Sequence, residues 1–292
     1  MTKNEEKDKK TTASQSPAGA TLKERLKFIE SIEDIPAIPD TLMKLLGVLE
    51  EPRVKFKEVQ HLISLDPALV SYILRVVNSP FLGLRTEVLT ISKAITVVGI
   101  DHLKALIIAY GIRFLYKTIK HPELQLYLWE HAISVAVLSK IISEQVYDVI
   151  HSQIYVFGLL HDIGKIVLLM YRPDTFDESM KMGLDKQVDG VQVEADLFGF
   201  SHIEAGYFLL SKLGFPKTMK DIVLFHHNPE YCPEKNQPVW IVSFANRLSY
   251  QMDDFENKNL QWYLEKLKLS MRQLEKIVLE GQDQLKQYLS LL

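Results

Sequence analysis

Cysteine is nearly missing: Cys232 is the only one in 292 residues. That excludes an intramolecular disulfide framework, a Cys-based zinc finger and an iron–sulfur cluster. Low cysteine use fits a reducing cytosol. Any metal held by this chain must therefore rest on nitrogen and oxygen donors. A surplus of one charge is missing too. The 34 basic and 37 acidic residues leave a net charge of −3, so no basic excess marks nucleic acid as a partner, and none is expected. The first 20 residues are polar and lack the apolar core of about 7–15 residues that a secretory signal needs. A cytoplasmic location is the expectation. Alternating apolar and polar runs bounded by hairpin turns are also absent, which argues against strands.

Long apolar runs are present but interrupted. Ile95 to Tyr116 contains Asp101, His102 and Lys104, and Ile154 to Tyr171 contains His161, Asp162 and Lys165. Ionisable groups in mid-span are expensive in lipid. Both runs are predicted as buried helices, and no membrane partner is expected. At a prior of about 150 residues per domain, the length allows one large domain or two lobes. The 47% hydrophobic content supplies a sizeable core.

Helical periodicity and its punctuation give the organisation. Residues 1–20 read as a disordered tail. Residues 21–118 read as a lobe of short helices. Ile35-Pro36-Ala37-Ile38-Pro39 is an extended linker, and Asp40 reads as an N-cap. Asp66 caps a helix with Pro67 in its first position. Asn78-Ser79-Pro80 ends that helix, Phe81 to Glu87 is a loop, and Gly99 breaks the next helix. Residues 119–255 carry longer helices over Glu123–Val149, Ile154–Tyr171, Gly183–Phe198 (after a turn near Pro173), Ser201–Leu213, Lys217–His227 and Pro238–Gln251. Ser201 and Glu204 have capping-box spacing. Residues 256–292 form two closing helices, with Ser270 capping the second. The fold class is all-α: a lobe of short helices packed on a helical bundle, with a C-terminal helical extension.

The chemistry sits on His131, His161, Asp162, His202, His226, His227 and Asn246. His161 and Asp162 interrupt a helix that is otherwise apolar on nearly every side, which marks burial. Burying an imidazole beside a carboxylate costs several kcal/mol unless both are paired or ligate a metal. Imidazole and carboxylate together suit Fe, Mn or Zn, and Mg is the remaining candidate among divalent ions. Ligands converging from separate helices are a familiar way to build such a site. Ordinary roles compete at each position. His131 divides between ligand and core histidine, and His202 between ligand and exposed first-turn residue. His226 and His227 also suit a helix C-terminus through its dipole. Asn246 reads as a surface or buried amide. Lys165 reads either as a contact for an anion or as a snorkelling surface lysine.

The ordered set resembles the HDOD family, the HD-related output domain of bacterial signalling proteins, within the HD superfamily of metal-dependent phosphohydrolases. It is carried by Ile35-Pro36-Ala37-Ile38-Pro39, Asp66-Pro67-Ala68-Leu69, Leu74 to Ser79, Ala94-Ile95, Val98-Gly99, Leu128 to His131, Gly158 to Gly164, His202 with Gly206, and His226-His227. The resemblance places metal ligands at His131, His161, Asp162, His202, His226 and His227. The superfamily's final acidic position falls on Asn246, whose neutral amide cannot serve as a base. The Gly-Tyr-Pro motif that follows the paired histidines in HD-GYP phosphodiesterases is replaced here by Asn228-Pro229-Glu230-Tyr231.

The resemblance implies a stand-alone bacterial regulatory module acting through other signalling proteins or a small-molecule or nucleotide ligand, without catalysis. The alternative is a phosphohydrolase or phosphodiesterase using a divalent metal. There, Asp162 would hold the ion and Lys165 would meet developing charge.

Overall fold

The structure, a computed structural model, describes residues 21–32, 40–51, 53–78, 86–117, 119–146, 151–183, 189–233, 236–250 and 258–289. The expected tail at 1–20, the linker at 35–39, Ser79-Pro80 and most of the loop from Phe81 lie outside that set. The described residues contain α-helices, one short 3₁₀ turn and no strands. The fold is therefore all-α, as the pattern predicted.

The first part is built from α1 (Leu22–Glu30), α2 (Asp40–Glu50), α3 (Phe56–Ser64), α4 (Pro67–Val77) and α5 (Ile91–Lys117). The Asp66 side chain accepts from the amides of Ala68 and Leu69 at 2.9 and 3.1 Å, satisfying two of the orphan donors at the start of α4. At the other end, the Asn78 amide donates to the carbonyls of Leu74 and Val88 and accepts from the Val88 N–H. It thereby stops α4 and ties the chain before α5. Gly99 breaks α5 with φ 79° and ψ 169°, a conformation that favours glycine.

The second part centres on α6 (Pro122–Glu144), whose inner half is apolar on nearly all sides. Around it stand α7 (His151–Leu160), α13 (Gln237–Ser249) and α15 (Met271–Leu289). The remaining helices are α8 (Gly164–Tyr171), α9 (Pro173–Gly183), α10 (Gly190–Phe198), α11 (His202–Lys212), α12 (Lys217–Phe225) and α14 (Lys258–Leu267), with the 3₁₀ turn at Pro229–Tyr231. Helix α1 crosses to pack on α11, where Arg25 pairs with Glu204 at 2.7 Å. A single contiguous apolar core runs from Ile29 to Leu285. Among the described residues, two stretches are long and apolar enough to cross a membrane, Pro122–Glu144 and Gln153–Tyr171. Their apolar windows are 72% and 89% buried within the fold, so those side chains face other helices.

Four expectations are corrected. The helix predicted over Ile154–Tyr171 is two helices, with His161, Asp162 and Ile163 in the turn between α7 and α8. The predicted turn at Pro173 is the start of α9, a position proline tolerates well. The helix placed at Gly183–Phe198 begins only at Gly190, where Asp189 accepts from the Val191 amide. The long helix placed at Glu123–Val149 ends at Glu144 among the described residues.

Close helix approach explains the first correction. A Cβ on Gly158 would lie 2.7 Å from Ala136 Cα, so α7 is seated directly on α6. A Cβ on Gly164 would overlap the His202 carbonyl and lie 2.5 Å from the Gly206 amide, so α8 enters against α11. One straight helix cannot satisfy both seats, and the chain turns at the doublet. Gly164→Ala is expected to cost about 3 kcal/mol or more, read by chemical denaturation. Gly47→Ala in α2, where nothing lies within 4 Å of an added Cβ, should instead gain up to about 1 kcal/mol.

Candidate metal centre

The turn between α7 and α8 drives the Asp162 carboxylate into the bundle, with 3% of the residue exposed. Four imidazoles close around it. His131 comes from α6, and His161 from the same turn. His202 is the first residue of α11, and His226 is the C-cap of α12. All four are buried. Asp162 Oδ2 faces Nε2 of His131 and His161 at 3.4 and 3.3 Å. Asp162 Oδ1 faces Nε2 of His202 and His226, both at 3.3 Å. His227 is exposed, with its ring 4.3 Å from that of His226 and 5.1 Å from that of His202. Donor atoms of Asp162, His202, His226 and His227 lie within 4.8 Å of one another, as do those of His131, His161 and Asp162. Two ligand sets thus share one carboxylate, one set on each oxygen.

The second ring nitrogens fix the tautomers. His161 Nδ1 donates to the Gly158 carbonyl at 2.7 Å, and His226 Nδ1 to the Val223 carbonyl at 3.0 Å. His202 Nδ1 donates to Glu194 Oε2 at 2.6 Å. Burial pushes the pKa of His131 and His161 down, and that of His226 down to about 4. A neutral ring that donates through Nδ1 presents a lone pair at Nε2. Those lone pairs point at carboxylate oxygens, and acceptor faces acceptor. Both Asp162 oxygens and Nε2 of His202 and His226 are buried with no hydrogen bond among the described residues. A cation between them resolves this conflict, and a ligating imidazole anchored through its other nitrogen is the usual arrangement at a metal. The residues present fit a divalent ion held by nitrogen and oxygen.

Lys165 is not a snorkelling surface residue. It is buried, and its Nζ lies 2.6 Å from Asp162 Oδ2. Burial disfavours its ammonium, but the adjacent carboxylate outweighs this and lifts its pKa above the ordinary lysine value. Burial likewise opposes the Asp162 carboxylate. The Lys165 ammonium beside it outweighs this, and the carboxyl is held well below the usual range. Asn246 is buried on α13 with Oδ1 lacking a hydrogen bond among the described residues.

Two residues escaped the sequence reading. Glu194 anchors His202, accepting from both its ring and its backbone N–H. Its signal was a carboxylate on the same helical face as Leu197 and Phe198. Tyr250 stacks on His131 at 4.8 Å between ring centroids, with its hydroxyl 3.3 Å from His131 Nε2. It follows Asn246 by one turn, a spacing that carries no distinctive signal.

Fold and site together define an all-helical protein with a buried His–Asp candidate metal centre. The HDOD domain family matches residues 35–229, and the chain belongs to that family. An uncharacterized protein of Treponema pallidum (strain Nichols) is 27% identical over 228 residues, covering 77% of this chain and 44% of that protein. Ribonuclease Y of Thermus thermophilus is 30% identical over 122 residues, covering 42% of this chain and 16% of that enzyme. The chain therefore spans less than half the length of either relative. Among solved structures, an HDOD domain protein of unknown function from Geobacter sulfurreducens superposes with a TM-score of 0.73 at 27% identity, covering 90% of this chain and 95% of that one. A Shewanella amazonensis SB2B protein named "Putative phosphohydrolase" gives a TM-score of 0.70 at 20% identity, with 89% and 97% covered, and shares the fold.

Two outcomes follow for the metal-free protein. Between pH 6.5 and about 4, His226 takes a proton in the unfolded chain but not in the folded one. Stability therefore falls as pH drops through that window and levels off below it. Urea titrations at a series of pH values should show this slope, and His226→Gln should flatten it. Lys165→Met leaves the Asp162 charge buried without its ammonium and should cost about 3–5 kcal/mol. A surface lysine would cost about 0.5 kcal/mol or less.

Proposed function

We propose that this chain is a cytoplasmic regulatory module of bacterial signal transduction whose helical bundle holds a divalent metal. It acts by binding another signalling protein or a small ligand and does not turn over a substrate. The observation carrying this reading is the burial of the donor set apart from His227, which stands at the surface. His161, Asp162, His202 and His226 are each 3% exposed or less, and Lys165 occupies Asp162 Oδ2. Structural metal sites are closed, whereas catalytic ones keep a position open to substrate. The neutral amide of Asn246, at the superfamily's final acidic position, supports the same reading.

The residues that would hold the ion are Asp162, His202 and His226 with His227 on one side, or His131, His161 and Asp162 on the other. Imidazole-rich donors favour Fe, Zn or Mn over Mg. When bound, such an ion supplies Lewis acidity and a more acidic bound water. The chain's own part is to anchor the imidazoles through Gly158, Glu194 and Val223 and to cover His131 with Tyr250.

A second reading is a metal-dependent phosphohydrolase acting on a nucleotide or phosphodiester. Lys165 favours it, since an ammonium beside the ligating carboxylate could meet charge developing on a phosphoryl oxygen.

Elemental analysis of the purified protein should find close to one divalent ion per chain, lost in Asp162→Ala. Assays with bis(p-nitrophenyl) phosphate and nucleotides in added Mn²⁺ should show no turnover. Turnover abolished by Asp162→Ala would establish the phosphohydrolase instead. Absence of metal after growth in Fe-, Mn- and Zn-supplemented medium would overturn both.

A further inference from the structure

Away from the histidine cluster, α4 and α5 lay two matched stripes side by side. Ala68, Tyr72 and Arg75 stand at helical spacing on α4, and Tyr110, Arg113, Phe114 and Lys117 on α5. Together they line a cleft of about 130 Å³. Three of these seven side chains are cationic, in a protein whose net charge is −3. Among the described residues, Arg75, Arg113 and Lys117 make no ion pair with a carboxylate.

The carboxylate at this end of the lobe, Asp66, is already committed. It caps α4 through the amides of Ala68 and Leu69, and its Oδ2 accepts from the Tyr110 hydroxyl at 3.0 Å. Arg75 and Lys117 lie in the last turns of their helices, where the dipole favours cations. That accounts for each alone but not for their meeting. Arg113 and Lys117 are a like-charged i,i+4 pair, which is destabilising in itself, and Arg75 adds a third positive charge from the neighbouring helix.

An anion in the cleft reverses the sign of that interaction. Three cations suit a dianion better than a single carboxylate, and paired guanidinium groups match the geometry of phosphate oxygens. The walls add aromatic surface. Tyr72 and Tyr110 pack with ring centroids 5.6 Å apart, and Phe114 is 42% exposed at the rim. The volume corresponds to about four liquid waters at roughly 30 Å³ each. It holds a phosphate and its ester carbon, and leaves a ring to rest on Phe114 outside.

We infer that this cleft is a binding site for a phosphate monoester carried on a planar ring system, of the class of a nucleoside 5′-monophosphate. Arg75, Arg113 and Lys117 take the phosphate, and Phe114 stacks with the ring. The site is separate from the histidine cluster and independent of whether that cluster holds metal.

Isothermal titration of the full chain at low ionic strength tests it, with adenosine 5′-monophosphate, adenosine and inorganic phosphate as probes. The monophosphate should bind, and adenosine should not. Inorganic phosphate should bind roughly tenfold more weakly, and added salt should weaken all phosphate binding. Arg113→Gln and Arg75→Gln should each weaken the monophosphate roughly tenfold or more, and Phe114→Ala should reduce it to the level of inorganic phosphate. Wild type treated with chelator, and still folded by circular dichroism, should bind it as the untreated protein does. No binding up to about 1 mM, indifference to the two arginines, or loss of binding in the folded, chelator-treated protein would each overturn the proposal. Equal binding of inorganic phosphate and the monophosphate would overturn the ring contact.

Discussion

The bundle is arranged around one buried carboxylate. Asp162 sits among helices with Nε2 of His202 and His226 facing one oxygen and Nε2 of His131 and His161 near the other. The neutral rings of His161, His202 and His226 cannot satisfy it, because each donates through Nδ1 elsewhere and brings a second acceptor to the same point. Positive charge makes the arrangement favourable. Lys165 supplies some of that from inside the chain, on Oδ2 alone. Both oxygens are buried without a hydrogen bond, but Oδ1 has no ammonium beside it, and it is this side that asks for an ion.

The helices meet closely enough to build this site because of two glycines. Gly158 seats α7 on α6 and sets His161 against His131, whose Nε2 atoms lie 3.2 Å apart. Gly164 seats α8 against the start of α11 and brings His202 to the other oxygen. The Gly158 carbonyl also accepts from His161 Nδ1. Packing and ligand orientation are therefore set by the same backbone, so a change in one helix contact moves a donor atom.

Where local chemistry decides the structure, the sequence was legible. Asp66-Pro67 starts α4, Gly99 breaks α5, and Ser270 opens the last helix by exchanging hydrogen bonds with Gln273. The residues to watch were legible as well, since a charged doublet in an apolar run has few inexpensive explanations. The turn at His161–Ile163 was not. Residues 154–171 are apolar on every face, so helical periodicity runs through the break without a change of phase. What breaks the helix is contact with α11, some forty positions further along the chain. Glu194 was missed for a related reason: its partner is eight residues away in a different helix. Lys165 was misplaced because a lysine usually reaches water, and only the fold shows the carboxylate that holds it inside.

The charge balance of the closed site bears on how many ions it can hold. Lys165 balances the charge of Asp162 from inside the chain, and the imidazoles of His131, His161 and His226 are neutral where burial depresses them. Each divalent ion adds two positive charges to a low-dielectric interior, where excess charge is costly. An acidic residue at 246 would offset one of them. With Asn246 in its place, the balance favours a single ion, and the geometry favours the Oδ1 side, since Lys165 already neutralises Oδ2. A lysine in that role does for charge what a second metal would do, but it opens no coordination position for a water or a phosphoryl oxygen. The capacity for metal is lowered from two directions: an amide stands at 246, and the Lys165 ammonium takes up a position beside Asp162 that a second ion would otherwise fill.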